Sequence, residues 1–224
     1  MQFPALFINF KTYEQATGAK ALELAKIAES VAQQENKQIV LVVQPTDIRM
    51  IANSVSLPVF AQHIDPIAYG AHTGLILPEA VKQAGASGTI LNHAENKRSN
   101  DFLERAIVRA KECGLTVMCC AESLERAKQI ASFISKPDII AIEPPELVGT
   151  GIAVSKAKPE LIISIVEEIS KIVDMPIIAG AGIKDASDVK KALELGCKGV
   201  FVASAIVKAQ DKEKAILDLL SGFE

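Results

Sequence analysis

The stretch DIIAIEPPELVGTG, Asp138 to Gly151, decides the fold. It opens with a short, continuous apolar run, Asp138-Ile139-Ile140-Ala141-Ile142, rich in β-branched residues and too short for a typical helix. No polar residue alternates within Ile139–Ile142, so both faces of the segment are buried, which is the signature of a parallel strand covered on each side. Glu143 ends the run. Pro144 and Pro145 follow, and Gly149-Thr150-Gly151 comes after them.

Seven further runs share this texture: PALFINF (4–10), QIVLVV (38–43), PVFAQ (58–62), GTILN (88–92), LTVMCC (115–120), MPIIAG (175–180) and KGVFVA (198–203). Several begin at or just after Pro or Gly, as strands in α/β proteins do. Amphipathic segments fall between them. Leu24, Ile27, Ala28 and Val31 share one helical face, as do Phe102, Ala106, Ile107 and Ala110, and Leu161, Ile165, Ile169 and Ile172. Ser187-Asp188 opens a further helix that Gly196 stops, and 211–220 closes the chain. Eight strands, each followed by helix-compatible sequence, predict an α/β fold of the (β/α)8 barrel type, one domain over residues 1–224. An open doubly wound sheet is the rival arrangement of the same elements.

Composition agrees with a large aliphatic core. Of 224 residues 49% are hydrophobic but only 4% aromatic, so Ile, Val, Leu and Ala must fill the interior. The net charge of -3 implies no basic face and excludes nucleic acid as the expected partner. The N-terminal MQFPALFINFK lacks the apolar core of a secretory leader, and no run reaches the roughly 18 residues of a membrane span. Cys113, Cys119, Cys120 and Cys197 form no CxxC pair and read as buried structural thiols, which suits a reducing cytoplasm.

In a barrel of this type the chemistry gathers where strands end and βα loops begin. At the first end, period-2 alternation sends Asn9 and Lys11 to one side and Phe10 to the other. A Lys in a barrel mouth needs an anion; the bland reading is a surface Lys just past the strand. The fourth end carries His93 and Glu95. His93 is a polarising donor or a satisfied structural His. Glu95 is a second acid or, more simply, a buried partner that neutralises and fixes Lys11. At the sixth end, the proline after Glu143 keeps it extended and aimed into the mouth. Pro144 and Pro145 stiffen the near end of the loop and the glycines relax its far end, as in a lid; an ordinary turn with two solvated Glu is the alternative. AGAGI (179–183) and VASA (202–205) end the seventh and eighth strands. Small residues there, with a short helix starting near Ser204, suit an anion-binding nest. Together, these groups suit proton abstraction beside a carbonyl, with Glu as base, His as donor and Lys as anion stabiliser.

At this point the sequence resembles the triosephosphate isomerase family, and more closely its short archaeal-type branch. The resemblance spans the chain through NFK (9–11), LNHAE (91–95), EPPELVGTG (143–151), AGAGI and VASA. It implies a cofactor-free, metal-free isomerase of glycolysis and gluconeogenesis that interconverts dihydroxyacetone phosphate and glyceraldehyde 3-phosphate. Glu143 would shuttle the proton. A neutral His93 would donate to the carbonyl oxygen, a role for which this family is itself the standard example. Asn9 and Lys11 would hold substrate oxygens. Backbone groups around Val148, Gly149, Gly182, Ala203 and Ser204 would bind the phosphate. The lid, of which the family is also a standard instance, would keep water from the enediolate. Three departures stand out: Ala94 where Ser is frequent, Ala179-Gly180-Ala181-Gly182 where Tyr-Gly-Gly-Ser is usual, and Glu146 where Trp is common. The chain is also shorter than the common forms, with trimming expected in the helix before PVFAQ.

The resemblance further implies a homodimer or homotetramer, with AYGAHTGLILPEA (68–80) docking into a neighbour, Thr73 near its tip and His72 in the interface. His63 reads as a structural strand-end residue. Two other functions remain open. An aldolase would use an inward Schiff-base Lys, whereas Lys198 begins the eighth strand at the wrong end. A non-catalytic sugar-phosphate sensor would have no need of Asn9, Lys11, His93 and Glu143 together.

Overall fold

Eight parallel strands close on themselves in sequence order, the last hydrogen-bonded to the first. This computed structural model describes residues 1–144 and 159–223. In chain order the elements are β1 (Ala5–Asn9), α1 (Ala19–Glu35), β2 (Gln38–Val43), α2 (Ile48–Ala52), β3 (Val59–Ala61), α3 (Pro78–Gln83), β4 (Gly88–Leu91), α4 (Asn100–Glu112), β5 (Thr116–Ala121), α5 (Leu124–Ala131), β6 (Ile139–Ile142), α6 (Pro159–Ile172), β7 (Ile177–Ala179), α7 (Ala186–Glu194), β8 (Gly199–Val202), α8 (Ser204–Val207) and α9 (Lys212–Ser221). The (β/α)8 barrel expected from the eight apolar runs is the fold observed, and the open sheet is excluded by the pairing of Ala5–Ile8 with Gly199–Val202.

Alternation along each strand sorts the core into two layers. Leu6, Ile8, Ile39, Leu41 and Val43 pack outward against helix residues such as Leu24, Ala28 and Ile216. Ala5, Phe7, Val40, Val42, Phe60, Ile90, Met118, Cys120, Ile139, Ala141, Ile178 and Phe201 form a second cluster, inside the barrel. Both faces of each strand are therefore apolar, which is why the strands read as unbroken hydrophobic runs.

The helices meet expectation with two corrections. In α6, Ile162, Ile165 and Ile169 are buried, but Ile172 is 40% exposed because it is the last residue of the helix, past the sheet it covers. The cap of α7 is Asp185 and not Ser187-Asp188: its carboxylate accepts the N–H groups of Ser187 and Asp188, and Asp188 instead takes the Lys184 N–H. Gly196, at φ 96, stops α7 as the sequence indicates. The helix before the third strand, α2, has only five residues.

Candidate active site

The interior face of β1 continues past Ala5 and Phe7 to Asn9, which is 3% exposed, while Phe10 packs outward. Lys11 then leaves the strand at φ 47, in the left-handed region. Its N–H donates to Asn9 Oδ1 at 3.0 Å, and its Nζ lies 2.7 Å from Glu95 Oε1. Of the two readings of Glu95, partner of Lys11 is the one the geometry carries. The partner is not buried as expected: the Lys11 side chain is 17% exposed and that of Glu95 58%, so the carboxylate faces water and holds the ammonium without enclosing it.

Strand parity alone would send His93 outward with Leu91, since Ile90 is the inward residue of β4. Asn92, at φ 59, breaks that parity. Its side chain fixes the turn: Nδ2 donates to the Cys120 carbonyl at 2.8 Å and Oδ1 accepts the Arg98 N–H at 2.8 Å. His93 is thereby laid over the mouth, edge-on to Phe201. Its Nδ1 accepts the Glu95 N–H at 3.1 Å. That contact needs a lone pair on Nδ1, so the proton of the neutral ring sits on Nε2.

Glu143 extends the inward row of β6, two residues beyond Ala141, and is 2% exposed. Its backbone N–H donates to the Ala121 carbonyl at 2.8 Å. The buried carboxylate is held by two contacts among the described residues: His93 Nε2 lies 3.1 Å from Oε1, and the Ala94 N–H donates to Oε2 at 2.9 Å. Gly180 forms the floor beneath it, because a Cβ there would stand 2.8 Å from Glu143 Cγ. Imidazole and carboxylate thus satisfy each other at the mouth of the barrel.

Gly182 is at φ 76 in the turn after β7, and Ala203 and Ser204 begin α8 after β8. β7 and β8 are neighbours, which sets these two turns side by side. The first turn of α8 offers N–H groups that have no partner within the helix. Val148, Gly149, Glu146 and the glycines of the expected lid lie outside the described residues. Lys198 precedes β8 at the end of the barrel opposite Glu143, and among the described residues no lysine is buried. Among the described residues there is thus no enclosed amine of the kind a Schiff-base enzyme uses.

His63 is buried at the end of β3, stacked on Phe102 with Nε2 3.4 Å from Asp65 Oδ1, in keeping with a structural role. Cys119, Cys120 and Cys197 are buried thiols as expected. Burial pushes Cys119 and Cys197 up to about 12, and burial together with the neighbouring Glu143 charge drives Cys120 well above the ordinary thiol range. These groups stay protonated and are not nucleophiles.

Sequence reasoning passed over Asn92 and Gln62, and read Cys120 only as a structural thiol. Asn92 sets the direction of His93, Gln62 Nε2 donates to the Lys11 carbonyl at 2.9 Å, and Cys120 lines the floor near Glu143. Only Asn92 left a signal, as Asn tolerates the left-handed region better than most residues.

The model of the triosephosphate isomerase family matches residues 4–221. The chain belongs to the triosephosphate isomerase family. It is 45% identical over 222 residues to the triosephosphate isomerase of Metallosphaera sedula, covering 99% of this chain and 96% of that one. It is 46% identical to that of Methanobacterium bryantii, covering 97% and 96%, and 45% identical to that of Methanocaldococcus jannaschii, covering 96% and 98%. The crystal structure of triosephosphate isomerase from Bartonella henselae superposes with a TM-score of 0.74 at 20% identity, over 97% of this chain and 98% of that one, a likeness of fold. This triosephosphate isomerase family member thus has archaeal relatives, as the sequence resemblance implied. At the Ala94 departure the contact to Glu143 is made by the backbone N–H, which does not depend on the side chain at that position.

Proposed function

We infer that the chain is a triose-phosphate isomerase, interconverting dihydroxyacetone phosphate and D-glyceraldehyde 3-phosphate. The observation that carries the reading is the facing pair of His93 Nε2 and Glu143 Oε1, 3.1 Å apart, beside the Lys11 ammonium. Substrate enters between the pair. Its carbonyl oxygen takes over the Nε2 proton bond from Glu143, and the freed carboxylate removes a proton from the adjacent carbon. The electron pair moves onto the carbonyl oxygen, giving an enediolate held by the His93 N–H and the Lys11 charge. Glu143 returns the proton to the neighbouring carbon. Asn9 orients the substrate oxygens. Val148, Gly149, Gly182, Ala203 and Ser204 supply backbone contacts to the phosphate, whose binding energy, remote from the reacting carbons, supports the chemical step.

Two supports extend the reading beyond the single chain. Residues 68–75 are exposed, with Tyr69 at 68% and Leu75 at 50%, which suits docking into a second copy as a homodimer or homotetramer. The four free cysteines suit a cytoplasmic setting. No helix among the described residues is long and apolar enough to cross a membrane.

A coupled assay with purified protein and either triose phosphate tests the activity. Glu143→Asp withdraws the carboxylate by one methylene and is expected to cut kcat by about 10²-fold or more with little change in KM, the size of a misplaced general base. Wild-type turnover in that variant would remove Glu143 from the role.

A further inference from the structure

The backbone of Lys11 is held at φ 47, which a residue with a side chain adopts only under constraint. Both peptide groups that bound it are tied. Its N–H donates to Asn9 Oδ1 at 3.0 Å, and its carbonyl accepts from Gln62 Nε2 at 2.9 Å. Gln62 follows the end of β3. Its own N–H donates to the Val43 carbonyl at 3.2 Å, so β2 fixes its backbone. Its amide reaches over the rim toward the end of β1, passing 3.5 Å from the Val42 carbonyl that already accepts the Phe10 N–H. Relaxing Lys11 to an ordinary φ would swing its carbonyl off Gln62 and its Nζ off Glu95.

We propose that Gln62 is a positioning residue: its amide clamps the Lys11 carbonyl, keeps that residue left-handed, and so holds the ammonium aimed into the barrel mouth. The proposal rests on the reading of Lys11 as the cation that meets the substrate's oxygens. Gln62 touches no reacting atom and acts through Lys11. A merely structural Gln62, one that only joins strand ends, would cost stability without any dependence on which residue occupies position 11.

The test is kcat, KM and thermal midpoint for Gln62→Ala, Gln62→Glu, Lys11→Ala and Gln62→Ala combined with Lys11→Ala. Gln62→Ala is expected to raise KM about tenfold with a smaller change in kcat, the size of coupling seen within one hydrogen-bond network. Gln62→Glu keeps the length but has no donor when ionised, and is expected to show the same rise. In the Lys11→Ala background, removal of Gln62 is expected to add nothing further to KM. Wild-type KM in both single Gln62 variants overturns the proposal, whatever happens to the thermal midpoint. So does a Gln62→Ala effect that persists in full without Lys11. If Lys11→Ala itself leaves KM unchanged, the reading of Lys11 fails first and takes the proposal with it. Should Gln62→Ala not fold, Gln62→Glu carries the same comparison.

Discussion

His63 shows how a single buried ring ties stability to pH. Burial holds its imidazole below the ordinary value of 6.5. Arg98 adds to that depression, while Asp65 opposes it through charge and hydrogen bond. Phe102 covers one face of the ring. In the folded protein the ring is neutral where the unfolded chain already binds a proton. The stability this gives is present above 6.5 and is lost as pH falls toward and through the folded value. The urea midpoint is expected to drop between about pH 7.5 and about pH 5.5, and to drop less in His63→Gln. An equal drop in both proteins would assign the acid sensitivity to other groups. Glu143 and His93 face a different environment: each is the other's partner, 3.1 Å apart, so neither buried group is left without a polar contact.

At the scale of the element, Gly88 shows what packing inside the barrel demands. It opens β4 on the inward side, beneath the Phe60 ring, and a Cβ there would overlap that ring and approach the Thr116 carbonyl to 2.6 Å. Phe60 in turn packs edge-on against Phe7, with centroids 6.0 Å apart. Gly88→Ala must displace one of these, and is expected to cost about 1–3 kcal/mol in urea unfolding, the usual penalty of overpacking. Activity per folded molecule is expected to hold, since Gly88 lies at the opposite end of β4 from His93. The strands were legible because both of their faces are apolar; Gln38–Val43 coincides with the run read from sequence. Asn9 and Glu143 were legible for the same reason, as they continue inward rows. Parity could not place His93, because Asn92 reverses the chain direction after β4 with a non-glycine residue at φ 59, a departure that composition does not announce. The Lys11–Glu95 pair was legible as a charge requirement. The hold of Gln62 on the Lys11 carbonyl was not, since a side chain bonding to distant backbone leaves no spacing to read.

For the whole molecule, closure of the sheet removes every edge strand, leaving the segment after β3 as an exposed excursion. Tyr69 and Leu75 stand in water there, and the segment is tied down at its base by Asp65, which accepts the Ile76 N–H at 2.7 Å. Arg109 Nε also holds the Ile67 carbonyl at 3.0 Å. If this segment docks into a second copy, folding is linked to association. The thermal midpoint is then expected to rise with protein concentration, and a variant carrying Tyr69→Ser and Leu75→Ser to sediment at lower mass with a concentration-independent midpoint. Identical sedimentation of the two proteins would place any interface elsewhere.

The hydrogen bonds between β1 and β8 also set an order of events during synthesis. Asn9 and Lys11 leave the ribosome early, on a strand whose second neighbour is the last strand to be made. Until β8 emerges, β1 has an unpaired edge, and the turn carrying Ala203 and Ser204 does not yet exist. Asn9 and Lys11 are therefore joined to Ala203 and Ser204 only once β8 has been made. A nascent chain stalled before residue 199 already has His93 and Glu143 but lacks β8 and the turn that follows it.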